Sequence, residues 1–100
     1  MPNIYVGTIN AEGPTNALVG TTSGTIIAET IGRVGLTLVN ISSGTIYLAF
    51  QGLTATLNAG TVLTPNGGSF TMDEYNYSNG TINGISTLAN SIVAVQQFIR

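Results

Sequence analysis

Arg33–Phe50 reads RVGLTLVNISSGTIYLAF, and how this stretch folds decides the class of the whole domain. Two strongly β-prone runs, Val34–Ile41 and Thr45–Phe50, flank Ser42-Ser43-Gly44. Val, Ile, Thr, Tyr and Phe favour a pleated, half-buried surface, and a short gap containing glycine lets a chain reverse. Side chains alternate along a strand, so Ile46, Leu48 and Phe50 share one face, opposite Thr45, Tyr47 and Ala49. In the first run Val34, Leu36 and Leu38 share a face, opposite Gly35, Thr37 and Val39. The stretch predicts a β-hairpin at the centre of an all-β domain.

The same pattern continues on both sides. Upstream, Thr25–Ala28 is a strand after the turn Thr21–Gly24, and Glu29–Gly32 leads into the central pair. Downstream, Leu53–Leu57 alternates Leu and Ala with Thr, a strand signature. Asn58-Ala59-Gly60 is a tight connection, with Gly60 able to take positive φ. Thr61–Leu63 follows, and Pro65-Asn66-Gly67-Gly68 is the strongest turn signal in the chain. Ser69–Met72 and Thr81–Ile85 are strands, and Leu88-Ala89-Asn90 turns the chain. In the last strand Ser91, Val93, Val95 and Gln97 face one way, with Ile92, Ala94, Gln96 and Phe98 opposite.

Residues 1–20 read differently. Ile4 and Val6 alternate with Tyr5 and Gly7, Asn10–Pro14 is a loop by composition, and Ala17–Val19 is a weak strand. Two readings stand for this N-terminal stretch: a first strand of the sandwich, or an extended arm on a neighbouring subunit. Residues 21–100 then form one β-sandwich or jelly roll, with about eight to nine short antiparallel strands over the chain. One hundred residues make one domain, long enough to bury roughly 65% of the unfolded surface.

Charge is the unusual feature. Only 6% of the residues are charged, against about 25% in a typical domain. The bases are Arg33 and Arg100; the acids are Glu12, Glu29, Asp73 and Glu74. Disorder does not fit, because Thr, Ile and other aliphatics recur throughout. A net charge of -2 gives little mutual repulsion and invites association. The composition points to a protein packed into an assembly; the plainer alternative is an extracellular sandwich rich in Thr and Asn. Two arginines do not make a phosphate-tracking surface, which argues against nucleic acid as a partner. There is no run of about 18 apolar residues to cross a membrane as a helix. Met1–Gly13 has neither a basic start nor a continuous apolar run, so no secretory signal is expected. The expected place is the cytoplasm of origin, or release by lysis.

Chemistry has little to work with. The chain has no His and no Cys. Acid–base catalysis needs titratable groups held together. Asp73 and Glu74 are adjacent, so on an extended chain they point apart. Asp73, Glu74, Asn76 and Asn79 lie close in sequence, but their spacing is not that of an EF-hand. No catalytic residue, metal or cofactor is expected. Tyr75–Gly80 is a polar aromatic loop, and Tyr75, Tyr77 and Asn79 are candidate contact residues because Tyr and Asn suit adaptable surfaces. Against this, one tyrosine is read as capping the sandwich. Arg33 has two readings: it pairs with Glu29 or a carboxylate at 73–74, the commoner use, or it reaches across an interface. The glycosylation patterns at Asn40, Asn76 and Asn79 carry little weight without a secretory signal.

A set of segments resembles a known group. It runs Gly24-Thr25-Ile26-Ile27, Arg33 with Leu36–Asn40, Gly44–Phe50, Ala59–Leu63, Gly67–Phe70, Thr81–Ile85 and Val93-Ala94-Val95. The pattern resembles the small β-sandwich domain of tailed-phage virion proteins, among them head-decoration, fibre-base and tail-associated proteins. It covers roughly residues 21–98. The resemblance implies a non-enzymatic protein on a capsid or tail surface, often a trimer or other symmetric oligomer. The extra Met1–Gly20 and the lack of an attached fibre favour a stand-alone auxiliary capsid protein. Such a protein would decorate or cement the virion shell by binding the major capsid protein and other virion proteins. Burial of neutral surface, with edge-strand or arm pairing, would hold it there. The alternative is a head-fibre or tail-associated module that binds carbohydrate through Tyr75, Tyr77 and Asn79. A small enzyme using Asp73 and Glu74 is the weakest reading.

Overall fold

The computed structural model describes residues 9–73 and 78–100. Eight antiparallel strands form two sheets of four, with no helix among the described residues. The strands are β1 (Asn10–Val19), β2 (Gly24–Ile27), β3 (Arg33–Asn40), β4 (Ile46–Ala49), β5 (Thr61–Leu63), β6 (Ser69–Met72), β7 (Ile82–Ser86) and β8 (Ser91–Ile99). One sheet has the order β1-β8-β3-β6 and the other β2-β7-β4-β5. The hydrogen-bonded partners include β1 with β8, β2 with β7, β3 with β6 and β4 with β5. Nested pairs of this kind are a long two-stranded ribbon rolled over on itself, which is the jelly roll.

Rolling the ribbon explains why the expected central hairpin is absent. β3 and β4 are both strands, but they lie in different sheets, and the chain crosses between layers at 41–45. Alternation and a glycine-containing gap are common to hairpins and crossings, so the sequence alone does not separate them. Asn40 provides the local cause. Its side chain is fully buried; its Nδ2 donates to the carbonyls of Gly44 (2.7 Å) and Leu63 (3.0 Å). Its Oδ1 accepts from Ser42 N (2.9 Å) and Ser42 Oγ (2.6 Å), an Asx-type turn that bends the chain away from the sheet. The β5–β6 turn docks on the same residue, with Gly67 N donating to Asn40 O and Asn40 N to Gly68 O. Asn66 and Gly67 in this turn have positive φ, as its Asn-Gly pair suggests, and so does Gly60.

The layers meet through one set of aliphatic side chains. Leu36, Leu38, Met72, Val93 and Val95 come from the first sheet; Ile46, Leu48, Leu63 and Ile82 from the second. These are the inward positions that alternation predicts for β4 and β8. In β3 a register shift between Arg33 and Gly35 takes Val34 out of phase, and Leu36, Leu38 and Asn40 form the buried set.

Two further expectations change. Asn10–Pro14, a loop by composition, belongs to β1, which pairs with β8 from Asn10 to Val19 across a shift between Glu12 and Thr15. Pro14 has no N–H to give, but β1 is an edge strand and the shift absorbs it. Leu53–Leu57 is not a strand. Ala55 alone is buried there, and Leu53 and Leu57 are exposed, so alternation without a pairing partner does not make a sheet.

Asn40→Ala strands two buried carbonyls and should cost about 2–4 kcal/mol, against about 1 kcal/mol for Ser42→Ala. Urea unfolding measures both; equal losses would show that the amide is not what holds the crossing.

Candidate interaction surfaces

Arg33 opens β3 and is only 1% exposed. It is therefore not a partner contact in the folded chain. Nor does it need a carboxylate. Nε donates to Gln97 Oε1 (3.0 Å), and one terminal nitrogen donates to the carbonyls of Ser78 and Gly80 (both 3.0 Å). The other donates to Ala28 O (2.8 Å) and Thr30 Oγ1 (3.4 Å). A guanidinium has five N–H groups, and these five neutral oxygens take them all. Glu29, one of the expected partners, is not among them; of the alternative pair at 73–74, Glu74 lies outside the described residues. Burial lowers the pKa of Arg33 from its ordinary value, yet arginine remains protonated at neutral pH. Carbonyl dipoles replace the lost hydration, so one cation ties the 28–30 bend, the 78–80 segment and β8 together.

Asn79 lies between the two carbonyls that Arg33 holds. It is exposed, and its own carbonyl accepts from Thr30 N (2.8 Å). With Glu29, Gln51 and Thr81 it lines a polar depression of about 210 Å³. Gln51 Nε2 donates to Ser78 Oγ (2.7 Å) and fixes one wall. Tyr75 and Tyr77, the other expected contact residues, lie outside the described residues, as does Glu74. Among the described residues no three His, Cys, Asp or Glu groups converge in a way that could hold a metal ion.

What the sequence reading missed is the outward side of the first sheet. Register places Leu18 beside Ile92, and Ala94 between Asn16 and Val39. Gln96 and Thr71 flank Thr37, and Ser69 flanks Val39. Phe98 lies over Gly35, where an added Cβ would come within 3.3 Å of the ring. None of these residues is ionisable. Glu12 is on the other side, with Val95 and Gln97 at the edge of the core, and Asp73 stands at the rim just past β6. A solvated sheet face would ordinarily carry charge. The signal was present in the alternation of β3 and β8; what was missing was that the two strands are neighbours.

Apolar side chains are also exposed in separate places. Leu18 is 67% exposed, with Ile41 exposed next to the same sheet. Ile31 is 85% exposed in the β2–β3 connection. Val62 in β5 is exposed on the other sheet, and Leu53 and Leu57 are exposed in the connection that leads into it. Leu48, Phe50, Leu53, Ala59 and Gly60 contribute to a mostly apolar groove of about 330 Å³ there. Gly60 packs directly against the Leu48 carbonyl, where no side chain fits.

Comparison with family models, curated proteins and solved structures gives no match to this chain.

Arg33→Lys keeps the charge but replaces a five-donor fork with a single ammonium. It should lower stability by about 2–4 kcal/mol in urea and speed hydrogen exchange at Thr30, whose N–H is held by Asn79. An unchanged unfolding midpoint would mean that water replaces the fork at no cost.

Proposed function

We propose that this chain is a non-enzymatic structural protein of a tailed-phage virion, an auxiliary protein that decorates or cements the capsid shell. The observation that carries the reading is the distribution of neutral and apolar surface. Exposed apolar residues occur on both sheets (Leu18 and Val62) and in the β2–β3 and β4–β5 connections (Ile31, Leu53 and Leu57), on a chain with four acids and two bases. Scattered single apolar residues need no explanation, but a neutral sheet face together with a separate apolar groove suits a protein with several neighbours. A cementing protein works by many such contacts repeated by symmetry, none of them strong alone. The jelly roll is compatible with this role, since viral capsid domains use it, but lectins and cupins use it as well. The surface, not the fold, supports the assignment.

A second reading is favoured by the polar depression at Asn79, which offers amide and hydroxyl groups to a sugar. In that reading the chain is a carbohydrate-binding module on a head fibre or tail.

Cosedimentation with empty shells of the encoding phage tests the first reading. Neutral contacts predict an affinity that changes less than about twofold between 50 and 500 mM salt, because there are few ion pairs to screen. A steep loss over that range, or no binding at either salt, would overturn it. Retention on a glycan array, abolished by Asn79→Ala, would favour the second reading instead.

A further inference from the structure

We infer that the outward face of the β1-β8-β3-β6 sheet binds the same face of a second copy of this chain. The inference rests on the assembly reading above and specifies one of its partners.

The face is large enough for an interface. The four strands lie about 4.8 Å apart; β1, β8 and β3, of eight to ten residues, run about 26–33 Å, and β6, of four, about 13 Å. The projected footprint is therefore about 500 Å². Counted on two partners this is about 1,000 Å², the lower end for a specific interface. Sheets pack face to face in this way inside sandwiches, so the geometry is one the backbone already supports.

The neutrality of the face selects the partner. Across a two-fold axis, groups near the axis meet their own kind. A carboxylate or guanidinium there would meet like charge. The polar groups at the middle of this face include the hydroxyls of Thr37 and Ser69 and the amides of Asn16 and Gln96. Every one of them both donates and accepts hydrogen bonds, so whichever lies near the axis can pair with its own copy. Among the described residues charge stands only at the Phe98 end of the face, where Asp73 follows Thr71 and Arg100 follows Phe98 in the same alternation; a charged partner would find nothing at the centre to answer its charge. Apolar groups stand at both ends of the face, Leu18 and Ile92 at one and Phe98 over Gly35 at the other. The middle, where Thr37 pairs with Gln96, is the neutral polar part.

Thr37 is the position to test. Its side chain is partly exposed at the centre of the face, and the core does not depend on it. T37R and T37E each place like charge against itself. The full chain should sediment as a dimer, or a closed oligomer built from dimers, at 10–100 µM protein (roughly a micromolar contact or tighter). Each variant alone should be monomeric, with a wild-type circular dichroism spectrum. Mixing the two in equal amounts should restore at least half of the associated species, which misfolded variants would not do. Leu57→Glu, beside β5 on the other sheet, should leave association unchanged. A monomeric wild type at 100 µM, or failure of the mixture to associate, overturns the inference. If that monomer still binds shells and T37R abolishes the binding, the face belongs to the shell; the proposed function then stands while this inference falls.

Discussion

β3 is held at both ends by a buried polar side chain, and the rest of the molecule is arranged around those two attachments. At its start Arg33 places five N–H groups on neutral oxygens from three separate parts of the chain. At its end Asn40 gathers the carbonyls of Gly44 and Leu63 and the backbone of Ser42. Between them lie Leu36 and Leu38, both completely buried. A central strand fixed in this way sets the register for β8 on one side and β6 on the other. It also fixes where the chain leaves one layer for the other. The energetic logic is asymmetric: each of these bonds adds little by itself, but any carbonyl left without its partner inside the sandwich would be costly.

That asymmetry also explains why a chain so poor in charge keeps a buried arginine. A lysine offers donors from one point and an aliphatic residue offers none. The bends at 28–30 and 78–80 both turn backbone carbonyls inward at the end of the sandwich. A planar fork can collect carbonyls arriving from several directions; no other side chain reaches so many. Among the described residues Arg33 is part of the backbone hydrogen-bond network, with no carboxylate among its hydrogen-bond partners.

The alternation of β-branched and aliphatic residues made the strands legible. The inward faces of β4, β7 and β8 follow from it directly, and so do the turns at Asn58–Gly60 and Pro65–Gly68. Pairing was not legible. Ser42-Ser43-Gly44 suits a hairpin as well as a crossing, and the deciding hydrogen bond joins Asn40 to Leu63, 23 residues away. The partners of Arg33 were hidden for the same reason: the oxygens of Ser78, Gly80 and Gln97 lie 45, 47 and 64 residues away and only the fold brings them close, and carbonyls leave no mark in a sequence. Leu53–Leu57 misled in the opposite direction, because alternation describes a strand only if another strand is there to receive its hydrogen bonds. The neutral outer face falls between these cases. Each strand's half of it was readable, but their union needed the Thr37–Gln96 register.

A neutral surface brings a hazard, and the edges of this fold answer it. Lysines commonly guard exposed strand edges, and this chain has none. Three of the four edge strands are instead three or four residues long: β2, β5 and β6. The fourth, β1, is long but is broken by a register shift beside Pro14. Short or interrupted edges offer few consecutive N–H and C=O groups to a stranger, which suppresses open-ended strand addition. Faces are different. A face-to-face contact about a two-fold axis closes after one partner, whereas edge addition repeats without limit. A chain that dispenses with charge can remain associative without becoming fibrous only if its edges are poor and its faces are good; the short and interrupted edges meet the first condition, and the neutral outer face is what we propose meets the second.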